Sequence, residues 1–388
     1  MPTSILEHFV VRYGVPLPAV GDRAIVARAA RSDAYRIYVT RTVPETLARL
    51  VELLEGAKVA VITDETVMAL HGGALLDGLR DADVDVQVTA LPAGEASKSL
   101  EQAGRLWNWL ARSSLARRDV ILTFGGGVIN DTGGWVASAY MRGIPYVNVP
   151  TTLLAQVDAA LGGKVAVNHA VAKNLLGAFY QPVGVTSNVG YLETVEDRHL
   201  RAGLAEAIKK AIIASPAYLD FIEANVDAIL TRDIGALERL VRCASTIKTA
   251  LIERDPYEDD LRRPLNFGHT IGHPLETVTG YGPLLHGEAV AFGMVIESRI
   301  AASRGLLPEQ TLGRIIELLR RAGLPTMASD LPAEIAAGEV IGAMEKVRLI
   351  RAGSLRFVLP LRFGETVIAD DVSGREVQQA LRESGIAA

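Results

Sequence analysis

The spacing of apolar positions changes partway along the chain. Up to about residue 190, short apolar runs such as 58–63 and 120–124 alternate with helical stretches such as 43–54. This alternation predicts an α/β domain with a doubly wound, mostly parallel sheet. From residue 196 to 351 the pattern is mostly that of amphipathic helices, with late strands expected at 354–360 and 366–368. We therefore expect a mostly helical second domain.

These patterns predict three segments: an N-terminal extension at 1–34, a sheet domain at 35–190 and a helical domain at 191–388. A chain of 388 residues is long enough for two domains. Hydrophobic residues make up 49% of it and charged residues 22%, so each domain can bury a core.

Charge and composition exclude several classes of partner. A net charge of −5 argues against nucleic acid and anionic membranes. The single cysteine, Cys243, excludes an internal disulfide and fits a reducing compartment. No apolar run reaches the roughly 18–20 residues of a membrane span, and the N-terminus lacks a signal-peptide pattern. A cytoplasmic protein is the expectation.

Three glycines at 125–127 follow the apolar run at 120–124 and precede a helical stretch. Such a turn lets the backbone approach a pyrophosphate, which the N–H groups at the helix start can bind. The run is not the G-x-G-x-x-G fingerprint, and a purely structural turn stays an alternative. Asp131 lies within the turn, and Asp64 and the loop at 92–98 are placed for the same dinucleotide. Taken singly, Asp64 and the loop are more often a helix cap or a solvated ion pair.

Histidines and one carboxylate predict a metal centre. His269 and His273 are four residues apart and share a face if their segment is helical, while His286 follows in another segment. Glu206 adds a carboxylate from an otherwise apolar helix. Two histidines and a glutamate with an open position are typical of catalytic zinc. The residues alone leave open whether His273 is a ligand or a proton carrier.

Six cations lie in glycine-rich or apolar segments of this acidic chain. If they are buried, they need anionic partners, and a substrate with a phosphate and a carboxylate would supply them. They are Arg142, Lys164, Lys173, Lys209, Lys248 and Arg262.

Residues 35–370 resemble the 3-dehydroquinate synthase family, the sugar phosphate cyclases, in a series of ordered motifs. Among them are GGGVIND at 125–131, YMRG at 140–143, GGK at 162–164, GLAEAIK at 203–209, LNFGHTIGH at 265–273 and HGEAVA at 286–291. The resemblance implies an NAD-binding α/β domain, a helical metal domain, an active site between them and a homodimer.

The resemblance also implies residue roles. The metal, Zn²⁺ or Co²⁺, would be held by Glu206, His269 and His286. The implied NAD-binding positions are Asp64, Glu95, Lys98, Gly126, Gly127, Asp131, Thr151, Thr152 and Lys173. The implied catalytic positions are Lys164, Asn174, Lys209, Glu258 and His273. The implied substrate-binding positions are Arg142, Asp158, Lys248, Arg262, Asn266 and Arg348, with Arg142 reaching the phosphate across the dimer interface.

The implied reaction converts a seven-carbon sugar phosphate to a carbocycle through transient oxidation by NAD, phosphate elimination, re-reduction, ring opening and an intramolecular aldol addition. Two substrates compete. Lys248 and Arg262, which match a carboxylate clamp, favour the keto acid phosphate of 3-dehydroquinate synthase, our main expectation. Val165, Arg348, the long extension and Pro274, which is expected to start the helix after His273, favour the alternative, a sedoheptulose 7-phosphate cyclase of the 2-epi-valiolone or 2-epi-5-epi-valiolone type. An NAD-dependent polyol dehydrogenase ranks third.

Overall fold

The computed structural model describes residues 10–12, 24–28, 34–169, 173–258, 262–350 and 355–387. The chain divides into two compact units. The first, the sheet unit, comprises residues 18–200 and 231–257. The second, the helical unit, comprises residues 1–17, 201–230 and 258–388.

The strands are β1 Val10–Arg12, β2 Ala24–Arg28, β3 Ala34–Thr40, β4 Val59–Asp64, β5 Val86–Leu91, β6 Val120–Gly125, β7 Tyr146–Pro150, β8 Lys164–Val167, β9 Leu176–Phe179, β10 Gly184–Asn188, β11 Phe357–Arg362 and β12 Glu365–Ala369. The helices are α1 Val43–Leu54, α2 Glu65–Val67, α3 Gly73–Asp81, α4 Leu100–Arg112, α5 Gly127–Ala139, α6 Asp197–Ala214, α7 Pro216–Leu230, α8 Ile234–Arg254, α9 His269–Val278, α10 His286–Ser303, α11 Glu309–Arg321, α12 Ala337–Ile350 and α13 Gly374–Glu383.

The main sheet of the sheet unit has, among the described residues, the order β2-β3-β10-β7-β6-β4-β5. Of the described strands in this sheet, only β2 pairs antiparallel, with β3. Side chains of β4 alternate between two apolar clusters: Ile62 packs with Leu106 of α4, and Val61 packs with Leu75 of α3. Helices therefore cover both faces, which is why β4 and β6 read as continuous apolar runs. The predicted doubly wound, mostly parallel sheet is confirmed.

Parallel strands place their carboxyl ends at one edge of the sheet. Asp64 ends β4, Gly125 ends β6 and Pro150 ends β7. Because these strands are neighbours in the order β7-β6-β4-β5, the segments that follow them meet at this edge.

The helical unit contains α6, α7, α9 to α13 and the antiparallel sheet β1-β12-β11. Helices α9 and α10 pack so closely that a Cβ atom at Gly293 would overlap the carbonyl oxygen of Gly268. Glycine at position 293 is therefore a requirement of the packing. It brings together the helices that begin at His269 and at His286. None of the described helices is long and apolar enough to cross a membrane.

Three features differ from the sequence expectation. Helix α8 belongs to the sheet unit and packs against β2 and β3, although its amphipathic pattern had placed it in the helical domain. The predicted extension at 1–34 contributes strands, because β1 pairs with β12 and β2 with β3. Pro274 does not start a helix but lies inside α9.

Candidate active site

Three side chains of the helical unit converge as the sequence predicted for a metal centre. Glu206 of α6 is fully buried, and its Oε1 lies 3.8 Å from His269 Nε2 and 3.8 Å from His286 Nε2. All three donor atoms lie within 4.8 Å of one another. Ligand atoms about 2.1 Å from one zinc ion are roughly 3.4 Å apart in a tetrahedron, so a small contraction would close the site around an ion. The donor set and its spacing fit a divalent metal.

Each histidine ring is oriented by a hydrogen bond on its other nitrogen. His286 Nδ1 donates to Glu276 Oε2 at 3.0 Å, and His269 Nδ1 donates to the Phe267 carbonyl oxygen at 3.2 Å. Both bonds leave Nε2 with its lone pair directed at Glu206, as metal-binding histidines require. Burial, followed by the charge of Lys209, holds the pKa of His269 well below its usual value. Burial also acts to lower the pKa of His286, but the carboxylates of Glu276 and Glu206 together outweigh it and raise that pKa.

The second oxygen of Glu206 faces two buried lysines. Lys209 Nζ lies 2.5 Å and Lys210 Nζ lies 3.3 Å from Glu206 Oε2. Since Oε2 is held by cations and Oε1 faces the histidines, the carboxylate is arranged to bind a metal through one oxygen.

His273 lies beside this cluster. Its ring centroid is 5.0 Å from that of His269 and 5.9 Å from that of His286, and its side chain is exposed. Donor atoms of His273, Glu276 and His286 also lie within 4.8 Å of one another. Because Glu276 is already bonded to His286 Nδ1, the set with Glu206 is the better metal site.

The predicted NAD positions follow the carboxyl ends of neighbouring strands of the sheet unit. Gly126 is the N-cap of α5, and a Cβ there would meet Thr152 at 3.2 Å. Within the described residues, the hydroxyls of Thr63 and Thr151 are buried at this edge without a hydrogen-bond partner. Such orphaned polar atoms fit a site that a polar ligand completes.

Two charged pairs border the same edge. Lys98 Nζ lies 2.5 Å from Asp131 Oδ2, with the lysine side chain only 6% exposed. Burial raises the pKa of Asp131, and the Lys98 ammonium opposes this rise. Lys173 Nζ lies 3.8 Å from Glu95 Oε1. Asp64, in contrast, caps helix α2: its Oδ1 accepts a hydrogen bond from Val67 N at 2.9 Å.

Asn168 connects two of the predicted segments. Its Nδ2 donates to Glu95 Oε1 at 2.8 Å, and its Oδ1 accepts from Asn174 N at 3.0 Å. Asn174 itself has a φ of 55°. A left-handed asparagine at a predicted catalytic position is the kind of backbone strain that clusters at functional sites.

The predicted substrate positions fall into local pairs. Lys248 Nζ lies 2.9 Å from Asp158 Oδ1 and donates to the Asp158 carbonyl oxygen at 2.6 Å. Asn266 Nδ2 donates to Glu258 Oε1 at 2.8 Å, and Glu258 is another left-handed residue, with φ 61°. Arg262, just before Asn266, is 1% exposed.

Three further predicted residues lie in other segments of the chain. Lys164 is exposed at the start of β8, opposite Phe179 in the β8–β9 pair. Arg142 is exposed in a turn where it has a φ of 66°. Arg348 lies in α12, but its side chain is outside the described part of the chain.

Sequence reasoning missed Glu276, Lys210 and Asn168. Glu276 is a buried carboxyl three residues after His273, and Lys210 is a second lysine in an apolar helix. For Glu276 and Lys210, a charge inside an apolar helical segment was the available signal. The side chain that each one contacts is set by the packing of separate helices and is not readable from spacing.

The family models for the N-terminal and C-terminal parts of 3-dehydroquinate synthase match residues 88–202 and 203–347. The chain belongs to the 3-dehydroquinate synthase family, as the motifs had predicted.

Within this family, the chain is 53% identical to a 2-epi-valiolone synthase of Actinosynnema mirum over 367 residues, which cover 95% of this chain and 96% of that protein. It is 41% identical to a 3-dehydroquinate synthase of Desulforamulus reducens, over 90% of this chain and 97% of that protein. A solved 2-epi-5-epi-valiolone synthase of Streptomyces hygroscopicus with NAD⁺ and Zn²⁺ bound superposes with a TM-score of 0.83 at 31% identity, covering 90% of this chain and 96% of that one. Between the two predicted substrates, these relatives favour the alternative over our main expectation.

Proposed function

We propose that the chain is an NAD- and divalent-metal-dependent cyclase that converts sedoheptulose 7-phosphate to a valiolone, of the 2-epi-valiolone type, with release of inorganic phosphate. The observation that carries the proposal is the 53% identity to a 2-epi-valiolone synthase along nearly the whole chain. The 41% identity to a 3-dehydroquinate synthase keeps the keto acid phosphate as a second substrate to test.

The pairing of Lys248 supports the sugar over the keto acid. A clamp for a substrate carboxylate needs cations whose charge is available to it. Lys248 is 5% exposed and forms an ion pair with Asp158, so its charge is already balanced by a protein carboxylate. A neutral polyol can hydrogen-bond to such a pair without adding a second anion, and therefore fits it better.

We propose that Glu206, His269 and His286 hold the metal, with Glu276 orienting His286. When bound, the metal would polarise a substrate oxygen and NAD would accept and return a hydride. We assign the carboxyl edge of β4, β6 and β7 to NAD, with Asp131 held by Lys98 and Glu95 held by Asn168.

The other residue assignments complete the proposal. Lys164, Asn174, Lys209, Glu258 and His273 are proposed to position the substrate and move its protons. Arg142, Asp158, Lys248, Arg262, Asn266 and Arg348 are proposed to bind it. We further propose a cytoplasmic homodimer in which Arg142, exposed in its turn, serves the neighbouring subunit.

The test is to incubate the purified protein with NAD and Zn²⁺ or Co²⁺ and, separately, each of the two seven-carbon phosphates. We expect phosphate release and a product with the mass of a valiolone from sedoheptulose 7-phosphate alone. Turnover confined to the keto acid phosphate would reverse the substrate assignment. Stoichiometric accumulation of NADH would instead identify a dehydrogenase.

A matched pair of variants tests the metal requirement. His269→Ala should abolish both phosphate release and metal retention, since it removes one of the proposed ligands. His199→Ala alters an exposed histidine at the start of α6 and should behave like the wild type. Equal activity of the two variants would refute the metal assignment.

A further inference from the structure

Helix α9 begins without a cap of its own. Its N-cap is Gly268, which has a φ of 81° and no side chain to accept a hydrogen bond. The first N–H groups of a helix have no partner inside the helix, so a buried start needs an acceptor from elsewhere. This start is critical because the first residue of α9 is His269 and His273 lies one turn later.

Glu297 of α10 supplies that acceptor. Its side chain is fully buried, and its Oε2 accepts from Gly268 N at 3.0 Å. Glu297 comes eleven residues after His286, which is the first residue of the same helix. At about 100° per residue, eleven residues bring the chain round to nearly the same side of a helix. One side of α10 thus carries both a proposed metal ligand and the contact that holds the start of α9.

A glutamate at this depth is unusual unless it has a specific partner, because burying a carboxyl is costly. Burial raises the pKa of Glu297 to about 8, although the N–H groups of Gly268, Thr270 and Val358 act to lower it. A side chain retained only to fill space would be apolar. Its hydrogen bonds to Gly268 and Thr270 at the start of α9, together with the one to Val358 of β11, therefore explain a polar residue here.

We propose that Glu297 is a positioning residue of the metal centre, which fixes the first turn of α9 and thereby the separation between His269 Nε2 and His286 Nε2. Close packing of α9 on α10 makes this coupling rigid, since Gly293 leaves no room between the helices. The inference deepens the proposed function, because it presupposes that Glu206, His269 and His286 bind a metal.

Three substitutions separate positioning from packing. Glu297→Gln keeps an acceptor oxygen at the same distance. Glu297→Asp keeps a carboxyl but withdraws it by about one C–C bond, roughly 1.5 Å, beyond hydrogen-bond reach of Gly268. Glu297→Met keeps the volume and removes the acceptor. Ser298→Ala is the matched control, because Ser298 is equally buried on α10 and adjacent to Glu297.

Each variant is stripped of metal and titrated with Zn²⁺ against a competing chelator, and its Co²⁺ form is examined by visible absorption. We expect Glu297→Gln and Ser298→Ala to match the wild type. Glu297→Asp and Glu297→Met should lose about 10–100-fold in zinc affinity, the usual effect of removing support behind a ligand. Their Co²⁺ bands should also shift, which loss of stability alone would not produce.

The outcomes are distinguishable. If Glu297→Asp binds zinc as tightly as the wild type with an unchanged Co²⁺ spectrum, the positioning role is refuted even if Glu297→Met does not fold. If the wild type itself binds no metal, the proposed function fails and this inference fails with it. Wild-type zinc affinity in Glu297→Gln together with weakened zinc affinity in Glu297→Asp supports the inference.

Discussion

The buried carboxyl of Glu297 should make the stability of the helical unit depend on pH. In the folded protein its pKa is about 8, against an ordinary value of 4.5 in an unfolded chain. Below about pH 4.5 the group is protonated in both states and contributes no penalty. As the pH rises towards 8, the unfolded chain gains free energy by ionising while the folded protein keeps its proton. The contribution of Glu297 to the free energy of unfolding is therefore fully present at low pH and is lost as the pH rises to about 8.

A rise in pKa from 4.5 to about 8 corresponds to a change of about 5 kcal/mol in the free energy of unfolding, at roughly 1.4 kcal/mol per pH unit. Glu297→Gln removes the effect, because glutamine has the shape of the neutral acid and cannot ionise. The free energy of unfolding of the variant, relative to that of the wild type, should therefore rise by several kcal/mol between pH 5 and pH 8. The difference should level off above pH 8.

The assay is urea denaturation of both proteins without metal, at half-unit pH intervals from 5 to 8.5, followed by far-ultraviolet circular dichroism. Omitting metal removes the competition between protons and metal for the histidines, and subtracting the two curves cancels the other shared ionisable groups. A stability difference that stays constant within about 1 kcal/mol across this range would refute the reasoning.

Three further predictions concern the two units separately. Replacing His269 with alanine should make the thermal unfolding temperature insensitive to added zinc, whereas the wild type should be stabilised by it; a zinc-dependent shift in the variant would remove His269 from the ligand set. Glu276→Gln should weaken zinc binding about 10–100-fold in a chelator competition, because His286 loses its anionic support, and unchanged affinity would contradict this. Asp158→Asn should lower the free energy of unfolding by about 2 kcal/mol, because the ammonium of Lys248 stays buried without its carboxylate. The loss is smaller than for a fully buried pair, since Lys248 Nζ keeps its hydrogen bond to the Asp158 carbonyl oxygen. Adding Lys248→Met to that variant should restore part of the loss, and strictly additive effects would show that the two residues do not interact.

The sequence predicted those parts of the fold that depend on local pattern. Helix α1 occupies residues 43–54 as its periodicity predicted, and β4 and β6 follow the apolar runs. Short strands such as β8, β9 and β10 escaped prediction because four or five residues carry too little periodicity to separate a strand from a loop. The placement of α8 escaped it too, since an amphipathic face does not specify which layer it covers.

For the candidate site, residue types and motifs predicted the metal set, and the structure brings Glu206, His269 and His286 together. Residues that act on those ligands are harder to find. Glu276 and Glu297 are separated from their partners by ten and by twenty-nine positions. Only the packing of α9 on α10 makes them neighbours. A buried acid in an apolar helix signals that a partner exists without naming it.

The pairing of the N-terminal strands has a consequence for solubility. An unpaired strand edge is a template on which other chains can add, and proteins commonly limit this hazard by ending a sheet with a short strand. Here the five-residue β2 covers the longer β3, and the three-residue β1 covers β12. Strands β1 and β2 therefore each form one edge of a sheet. A chain lacking β1 and β2 would leave β12 and β3 as the edges of their sheets and would be more prone to self-association.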